Sequence, residues 1–301
     1  MNGISMELAW LDDFIELAER LNFSRAAEAR HVTQPAFSRR IQALEAWIGT
    51  PLFTRSTHGV TLTAAGLHLR SRADAMAREV RQLRTEALEV AGRETAALSF
   101  TATHALSFTF FPKWIRDHER ASPLGTLNLI SDSMAACEQI MLRGRAQFLL
   151  CHTHRDSPNR LDSDAFDSAV IGHDVLIPLA APDATGAALW SLDEATKVPI
   201  PYLAYSAESG LGRIVTAHKP PKRRPLDKVF TSQLAATLHS LALARRGIAW
   251  LPQSLAQDDI EHGRLVAAGG KAWRIAVEIR LFRPHAHQGR AAEALWARLK
   301  V

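Results

Sequence analysis

Two short helical patterns meet at a tight polar junction between Ser24 and Phe53, and the second opens on Thr33-Gln34-Pro35. Thr33 suits an N-cap, where its hydroxyl can accept a backbone N–H, and Pro35 suits a first turn that needs no amide donor. Phe37, Ile41, Leu44 and Ile48 follow at steps of four, three and four, which predicts one buried stripe. Gly49 fits the residue just past the helix end. A cap, a polar residue and a proline leading into such a stripe predict a helix-turn-helix whose second helix enters a DNA major groove.

The opposite face of that helix carries Gln34, Ser38, Gln42 and Glu45, with Arg39 and Arg40 at its flanks. The competing reading is an ordinary amphipathic helix with a solvated face, and charge separates the two. Residues 20–72 hold eight arginines (20, 25, 30, 39, 40, 55, 70, 72) against Glu28 and Glu45, so 8 − 2 = +6. Residues 7–19 contain five acids and no base. A basic block beside an acidic one is the footprint of phosphate contact. Entering by its N-terminus, the helix would present Gln34, Ser38 and Arg39; glutamine pairs bidentately with adenine and arginine with guanine.

The surrounding segments complete a winged domain. Leu8, Leu11, Phe14, Ile15 and Leu17-Ala18 predict a first helix, and Ser24 is expected to cap the second. Residues 51–55 and 59–63 alternate like two strands joined at Thr57-His58-Gly59, which places Arg55 on a wing beside the duplex backbone. Gly66, Leu69, Ala73, Met76, Val80, Leu83, Ala87 and Val90 then recur at alternating steps of three and four. That is a heptad seam on a helix over 63–91, roughly 43 Å long at about 1.5 Å per residue. Pairing through it would give the two-fold protein that two reading helices need.

The order of segments resembles the LysR-type transcriptional regulators. The resemblance rests on Phe23-Ser-Arg-Ala-Ala27, Thr33-Gln-Pro-Ala-Phe-Ser-Arg-Arg-Ile41, Leu44-Glu45, Ile48-Gly49, Leu52-Phe53-x-Arg55 and Leu62-Thr-x-Ala-Gly66. It implies an α+β multidomain chain: a winged helix-turn-helix over 1–62, a linker and dimerisation helix over 63–91, and a two-lobed α/β effector domain over 92–301, like a periplasmic binding protein. Expected DNA contacts are Ser24, Arg30, Thr33, Gln34, Pro35, Ser38, Arg39 and Arg55. Implied partners are promoter DNA, a small-molecule or oxidant effector, RNA polymerase, and further copies of the chain in a homodimer or homotetramer.

From Ala96 short apolar strands alternate with helices, which argues α/β lobes with mainly parallel sheets. Lobe one is expected over about 96–166 and 270–301, lobe two over about 167–269. Ligands of such domains sit where strands end and helices begin. That rule selects Thr103, His104 and Ser107 after the first strand, Ser131, Asp132 and Ser133 after the second, and Tyr205, Ser206, Thr231 and Ser232 in lobe two; each serine has helix capping as its alternative. Asp132 in the cleft disfavours a simple carboxylate ligand unless His104 or Arg213 offsets it.

Thr33–Ile41, Ala102-Thr-His-Ala-Leu-Ser107 and Gly247-Ile-Ala-Trp-Leu-Pro252 are similar to the hypochlorite-responsive LysR-type regulators, whose proposed trigger is methionine oxidation. This chain departs from that pattern: its effector half has only Met134 and Met141, and the loop expected to sense reads Glu208-Ser-Gly-Leu-Gly-Arg213. Oxidant sensing through Met134 or Cys151 is therefore the alternative to a small-molecule effector. Cys151 precedes His152 and His154, and a neighbouring imidazolium would activate its thiol; a buried, inert cysteine is the competing reading. His152-Thr-His154 shares a strand face but offers no third metal ligand.

Composition narrows the remaining classes. No apolar run reaches membrane-spanning length, residues 1–10 lack an apolar segment behind a basic start, and two cysteines cannot build a disulfide framework. The expected compartment is the reducing cytoplasm, with no cofactor. The chain contains no Gly-x-Gly-x-x-Gly, phosphate loop, Gly-x-Ser-x-Gly or His-Glu-x-x-His, so an enzyme is not expected. An exported solute-binding protein would leave residues 1–91 without a task.

Overall fold

The computed structural model describes residues 6–56, 59–92, 97–121, 123–194, 198–218 and 225–299. Two compact units divide the chain, one built mainly from residues up to Ala87 and joined by Leu142–Gly144, the other from the remainder.

The first unit runs α1 (Leu8–Arg20), α2 (Phe23–Ala29), α3 (Gln34–Ile48), β1 (Phe53–Ser56), β2 (Gly59–Leu62) and α4 (Ala64–Val90). Phe14, Leu17, Ala26, Phe37, Ile41, Leu44 and Leu52 are fully enclosed, so the apolar stripes of the three short helices share one core. Phe14 meets Phe53 at 5.4 Å, and Phe23 meets Phe37 edge-on at 6.1 Å. Ile48 is 36% exposed and Leu8 58%, so both leave the stripes assigned to them: each lies at a helix end, beyond the facing element. Asn22, not Ser24, caps α2, its side-chain oxygen accepting the Arg25 N–H at 3.0 Å. Thr33 has N-cap backbone angles, but its hydroxyl makes no cap bond. Gly49 takes the left-handed C-cap at φ 85°.

β1 and β2 pair antiparallel from Phe53↔Leu62 to Ser56↔Gly59; Thr57 and His58 of the expected turn lie outside the described residues. The wing is fastened from both sides. Glu45 on α3 accepts the Leu52 and Phe53 N–H groups at 2.8 and 3.1 Å. On α4, a Cβ at Gly66 would fall 2.1 Å from the Leu52 carbonyl oxygen, so only glycine permits this approach. The 27 residues of α4 span about 40 Å. Its expected seam divides: Gly66, Leu69 and Ala73 pack within the unit, whereas Met76, Val80, Leu83 and Val90 are exposed at 42, 37, 66 and 90%.

The second unit holds β3 (Ala97–Thr103), α5 (His104–Thr109), α6 (Phe111–Ala121), β4 (Thr126–Asp132), α7 (Met134–Leu142) and β5 (Phe148–Thr153). There follow β6 (Phe166–Ala180), β7 (Ile200–Tyr205), α8 (Gly210–Ala217), β8 (Leu226–Ser232), α9 (Ala235–Leu243), β9 (Ala249–Pro252), α10 (Gln253–Glu261), β10 (Val266–Ala267), β11 (Ile275–Pro284) and α11 (Arg290–Ala297). The main sheet has the order β10-β6-β11-β5-β3-β4, with β9 also on β6; β7 and β8 form a second, parallel pair. β3 is parallel to β4 and β5, but β11 is antiparallel to both β5 and β6. The sheets are thus mixed rather than mainly parallel, because β6 and β11 are two long strands running side by side in opposite directions.

Those two strands join the lobes. The first half of β6 pairs with the part of β11 that also meets β5, whereas its second half pairs with β9 and β10. Residues 167–172, expected at the start of lobe two, accordingly belong to the lobe-one sheet. Phe100, Phe148, Trp114 and Trp296 fill the core on that side, with Phe100 and Phe148 stacked at 5.2 Å. Leu176, Leu203, Leu238, Ile248 and Trp250 fill the other.

Candidate functional sites: a recognition helix and an interlobe cavity

In the first unit α3 presents Gln34, Pro35 and Arg39 exposed at its N-terminal end, with Ser38 half-buried beside them. Thr33 is exposed, and no side chain caps the helix, so its hydroxyl and the first-turn amides stand open to an anion. Arg55 from β1 reaches across. Its guanidinium carbon lies 3.9 Å from the Phe23 ring centroid, and Nη2 donates to Ser38 Oγ at 3.2 Å. The wing arginine is therefore held against α2 and α3 by a cation–π contact and a hydrogen bond.

The basic block contracts in three dimensions. Buried Asp13 on α1 binds Arg30 at 2.7 Å and Arg40 at 3.4 Å, Asp12 stands 3.7 Å from Arg30, and Arg20 pairs with Glu16. Arg30, expected at DNA, instead ties the end of α2 to α1. Ser24 is exposed in the first turn of α2 without the capping role assigned to it. Arg25, Arg39, Arg55, Arg70 and Arg72 remain exposed. The acidic segment 7–19 thus neutralises part of the block that sequence order sets against it.

In the second unit, α5, α7, α8 and α9 each begin just after a strand ends, and their starts surround a cavity of about 380 Å³ counted out to its mouth. Of the expected residues, Thr103, His104, Asp132 and Ser133 line it, and so does Met134. Thr103 Oγ1 is enclosed without a hydrogen-bond partner. His104 Nδ1 lies 3.1 Å from Ser131 Oγ, which donates to Ser107 Oγ at 2.9 Å; Ser107 itself donates to the His104 carbonyl. Ser107 therefore supports His104 from behind rather than lining the cavity. Asp132 Oδ1 accepts the Ser133 N–H at 2.6 Å, and Ser133 Oγ caps α7 through Ala136 N.

Three lobe-two expectations are corrected. Tyr205 is buried and its phenol donates to the Trp250 carbonyl at 2.9 Å, because β7 turns that side chain into the lobe core. Ser232 Oγ accepts the Leu234 N–H ahead of α9, and Ser206 meets Ser232 through the backbone; neither lines the cavity. That side is formed instead by Ser209, Gly210, Leu211, Gln233 and Ala235. Arg213 does not offset Asp132 either. Its guanidinium binds Glu138 of α7 at 2.8 and 3.1 Å, a two-pronged ion pair across the lobes in which Glu138 is buried.

The largest omission from the sequence reading is His152 as a cavity residue. It lines the wall from the end of β5 with a side chain only 3% exposed; Nε2 lies 3.4 Å from Asp174 Oδ2, and Nδ1 has no partner. Burial pushes the Asp174 carboxyl up, but bonds from His152, Ser254 and Val175 outweigh it and hold the group below the usual carboxylate range. The strand-end rule that found Thr103 and Asp132 applies equally to His152; pairing it with His154 as a metal motif hid this. His154 Nδ1 instead accepts the Asp156 N–H.

Burial weighs against the redox assignments. Cys151 is fully enclosed and its thiol is pushed well above the ordinary range by desolvation, while Cys137 rises to about 11 for the same reason. Neither is the thiolate that reacts with oxidants. Met134 and Met141 are buried as well.

A winged helix-turn-helix followed by a long helix and a two-lobed α/β domain with a cavity between its lobes is the layout of a DNA-binding transcriptional regulator. Residues 8–67 match the family described as bacterial regulatory helix-turn-helix protein, lysR family, and residues 91–300 match the LysR substrate binding domain. The chain belongs to the LysR family of DNA-binding transcriptional regulators; it is not an enzyme. It is 30% identical to the HTH-type transcriptional regulator YjiE of Escherichia coli over 98% of this chain and 95% of that one. Among solved structures it is similar to DarR of Vibrio fischeri in complex with DNA, at 27% identity, 98% coverage of both chains and a TM-score of 0.58. It is also similar to full-length HypT of Salmonella typhimurium, a hypochlorite-specific LysR-type regulator, at 26% identity, 98% and 97% coverage and a TM-score of 0.58. No helix among the described residues is long and apolar enough to cross a membrane.

Proposed function

We propose that this chain binds promoter DNA in the cytoplasm as a homodimer or homotetramer and alters transcription by RNA polymerase when a small molecule enters the interlobe cavity. The observation that carries the DNA half is the exposed α3 start, Gln34 to Arg39, flanked by the anchored Arg55. Gln34 and Arg39 offer the donor patterns that read adenine and guanine, while Thr33, Arg55 and the open first turn of α3 suit phosphates. DarR, which matches over 98% of both chains, is described in complex with DNA, which supports DNA binding by this chain. Dimerisation is supported by the seam residues Val80 and Leu83, which are 37 and 66% exposed on a single chain. Thr103, His104, Asp132, Ser133 and His152 are the proposed effector contacts.

The test is a nuclease footprint on the promoter beside the chain's own coding sequence. Protection of two half-sites about one or more helical turns apart is expected, since a two-fold protein places its reading helices roughly 34–36 Å apart or at multiples of that. No protection at any salt concentration down to low ionic strength would overturn the proposal.

A further inference from the structure

We infer that the interlobe cavity takes a small zwitterion of amino-acid type, with its ammonium group at Asp132 and His152 Nδ1 and its carboxylate at the first turn of α9. This rests on the regulator reading above and names the ligand class of the same cavity.

Three features of the wall set the charge pattern. Asp174 accepts Ser254 Oγ at 2.6 Å, Ser254 N at 3.2 Å and Val175 N at 2.7 Å, and is kept ionised by them. Nε2 of His152 faces Asp174, and in the neutral tautomer that donates from Nε2 the other ring nitrogen, Nδ1, is a hydrogen-bond acceptor. That acceptor is buried and unpartnered in the cavity wall. Asp132 adds a carboxylate to the same wall, and among the described residues no lysine or arginine lines it; the nearby Arg213 is already committed to Glu138. Two acceptors and no cationic side chain select a ligand with a positively charged donor.

The other end of the ligand is set by the helix starts. Ser133 caps α7 and Ser209 caps α8, which occupies amides of both first turns. α9 begins after Leu234 with no side-chain cap, and Gln233 and Ala235 at its start line the cavity. Nine residues of helix end there with open N–H groups, which receive an anion. A simple carboxylic acid would meet Asp132 with like charge, and a simple amine would leave the α9 amides empty. One molecule bearing both groups satisfies both ends.

The experiment uses the full-length chain in calorimetric titration and thermal denaturation. The probes are the twenty common L-amino acids, with acetate, propionate and lactate as matched acids and ethylamine as a matched amine. At least one amino acid should raise the melting temperature and bind at least about tenfold more tightly than any acid or amine. Asp132→Asn should weaken that amino acid about tenfold or more, and His152→Phe should weaken it further in the same direction. Thermal unfolding of the ligand-free variants, with the same cooperative transition as the parent, checks that both are folded. Should either variant fail this check, Thr103→Val, which removes the unpartnered hydroxyl from the same wall, replaces it with the same expected loss. An organic acid that binds as tightly as the best amino acid overturns the inference, and so does the absence of any amino-acid binding. If the promoter footprint is present while no amino acid binds, the ligand class is wrong and the regulator reading stands; if the footprint is absent, the regulator reading fails whatever binds the cavity.

Discussion

Single residues carry the chemistry at three places, and each gives a measurable consequence. Gln34→Ala and Arg39→Ala should cost roughly 1–3 kcal/mol on operator DNA and much less on random DNA, as expected for base contacts. Arg55→Ala should weaken both alike and flatten the salt dependence, as expected if the guanidinium anchored beside Ser38 meets phosphate rather than a base. Gel-shift titrations on both DNAs at several salt concentrations distinguish these, and equal losses for Gln34→Ala would refute its assignment. At Asp174, stabilisation follows from a carboxyl held below its ordinary value of 3.8. Its contribution is full above that pH and is lost as pH falls through the lower, folded value. Asp174→Asn should therefore flatten the acid limb of the stability curve below about pH 4, read by urea denaturation at stepped pH. The enclosed thiols of Cys137 and Cys151 should resist iodoacetamide in the native chain at neutral pH and react once it is unfolded, as mass spectrometry would record.

At the scale of elements, α4 serves two neighbours. Its first turns pack under the wing, where Gly66 meets the Leu52 carbonyl, and its later turns leave Met76, Val80 and Leu83 in solvent. Gly66→Ala should lower stability by about 1–3 kcal/mol, because the added Cβ forces β1 away from the helix. Chemical denaturation measures that loss. Val80→Glu or Leu83→Glu should leave the monomer folded, since both side chains are exposed, yet split the dimer and abolish operator binding. Light scattering showing unchanged mass for both variants would remove the seam from the interface.

For the whole effector half, the two lobes are linked by β6 and β11 and clasped by the Glu138–Arg213 pair. Arg213→Ala leaves a buried carboxylate without its partner. The expected loss is roughly 2–3 kcal/mol, less than the 3–5 of a fully enclosed pair because the Arg213 side chain is 31% exposed. Small-angle scattering should report a larger radius of gyration for the variant than for the parent. An unchanged radius together with unchanged stability would show that the pair does not hold the lobes closed.

Much of this molecule is legible in local patterns. The α3 stripe, the Gly49 cap and the strand ends that carry Thr103, His104 and Asp132 all follow from periodicity and from turn and cap chemistry, which act over a few residues. So does β3, whose bounds match the apolar run from Ala97 to Thr103. Other features depend on residues far apart in the chain. Asp13 removes Arg30 and Arg40 from the basic face, Tyr205 turns toward Trp250, and β6 and β11 pair antiparallel over 166–176 and 275–284. His152 shows the same dependence: its position at a strand end is visible in the sequence, but the role of its two nitrogens is set by Asp174, twenty-two residues away. Short-range order reflects the backbone's own preferences, whereas the partner of a charge or a buried hydroxyl is chosen by whichever distant segment the core brings against it.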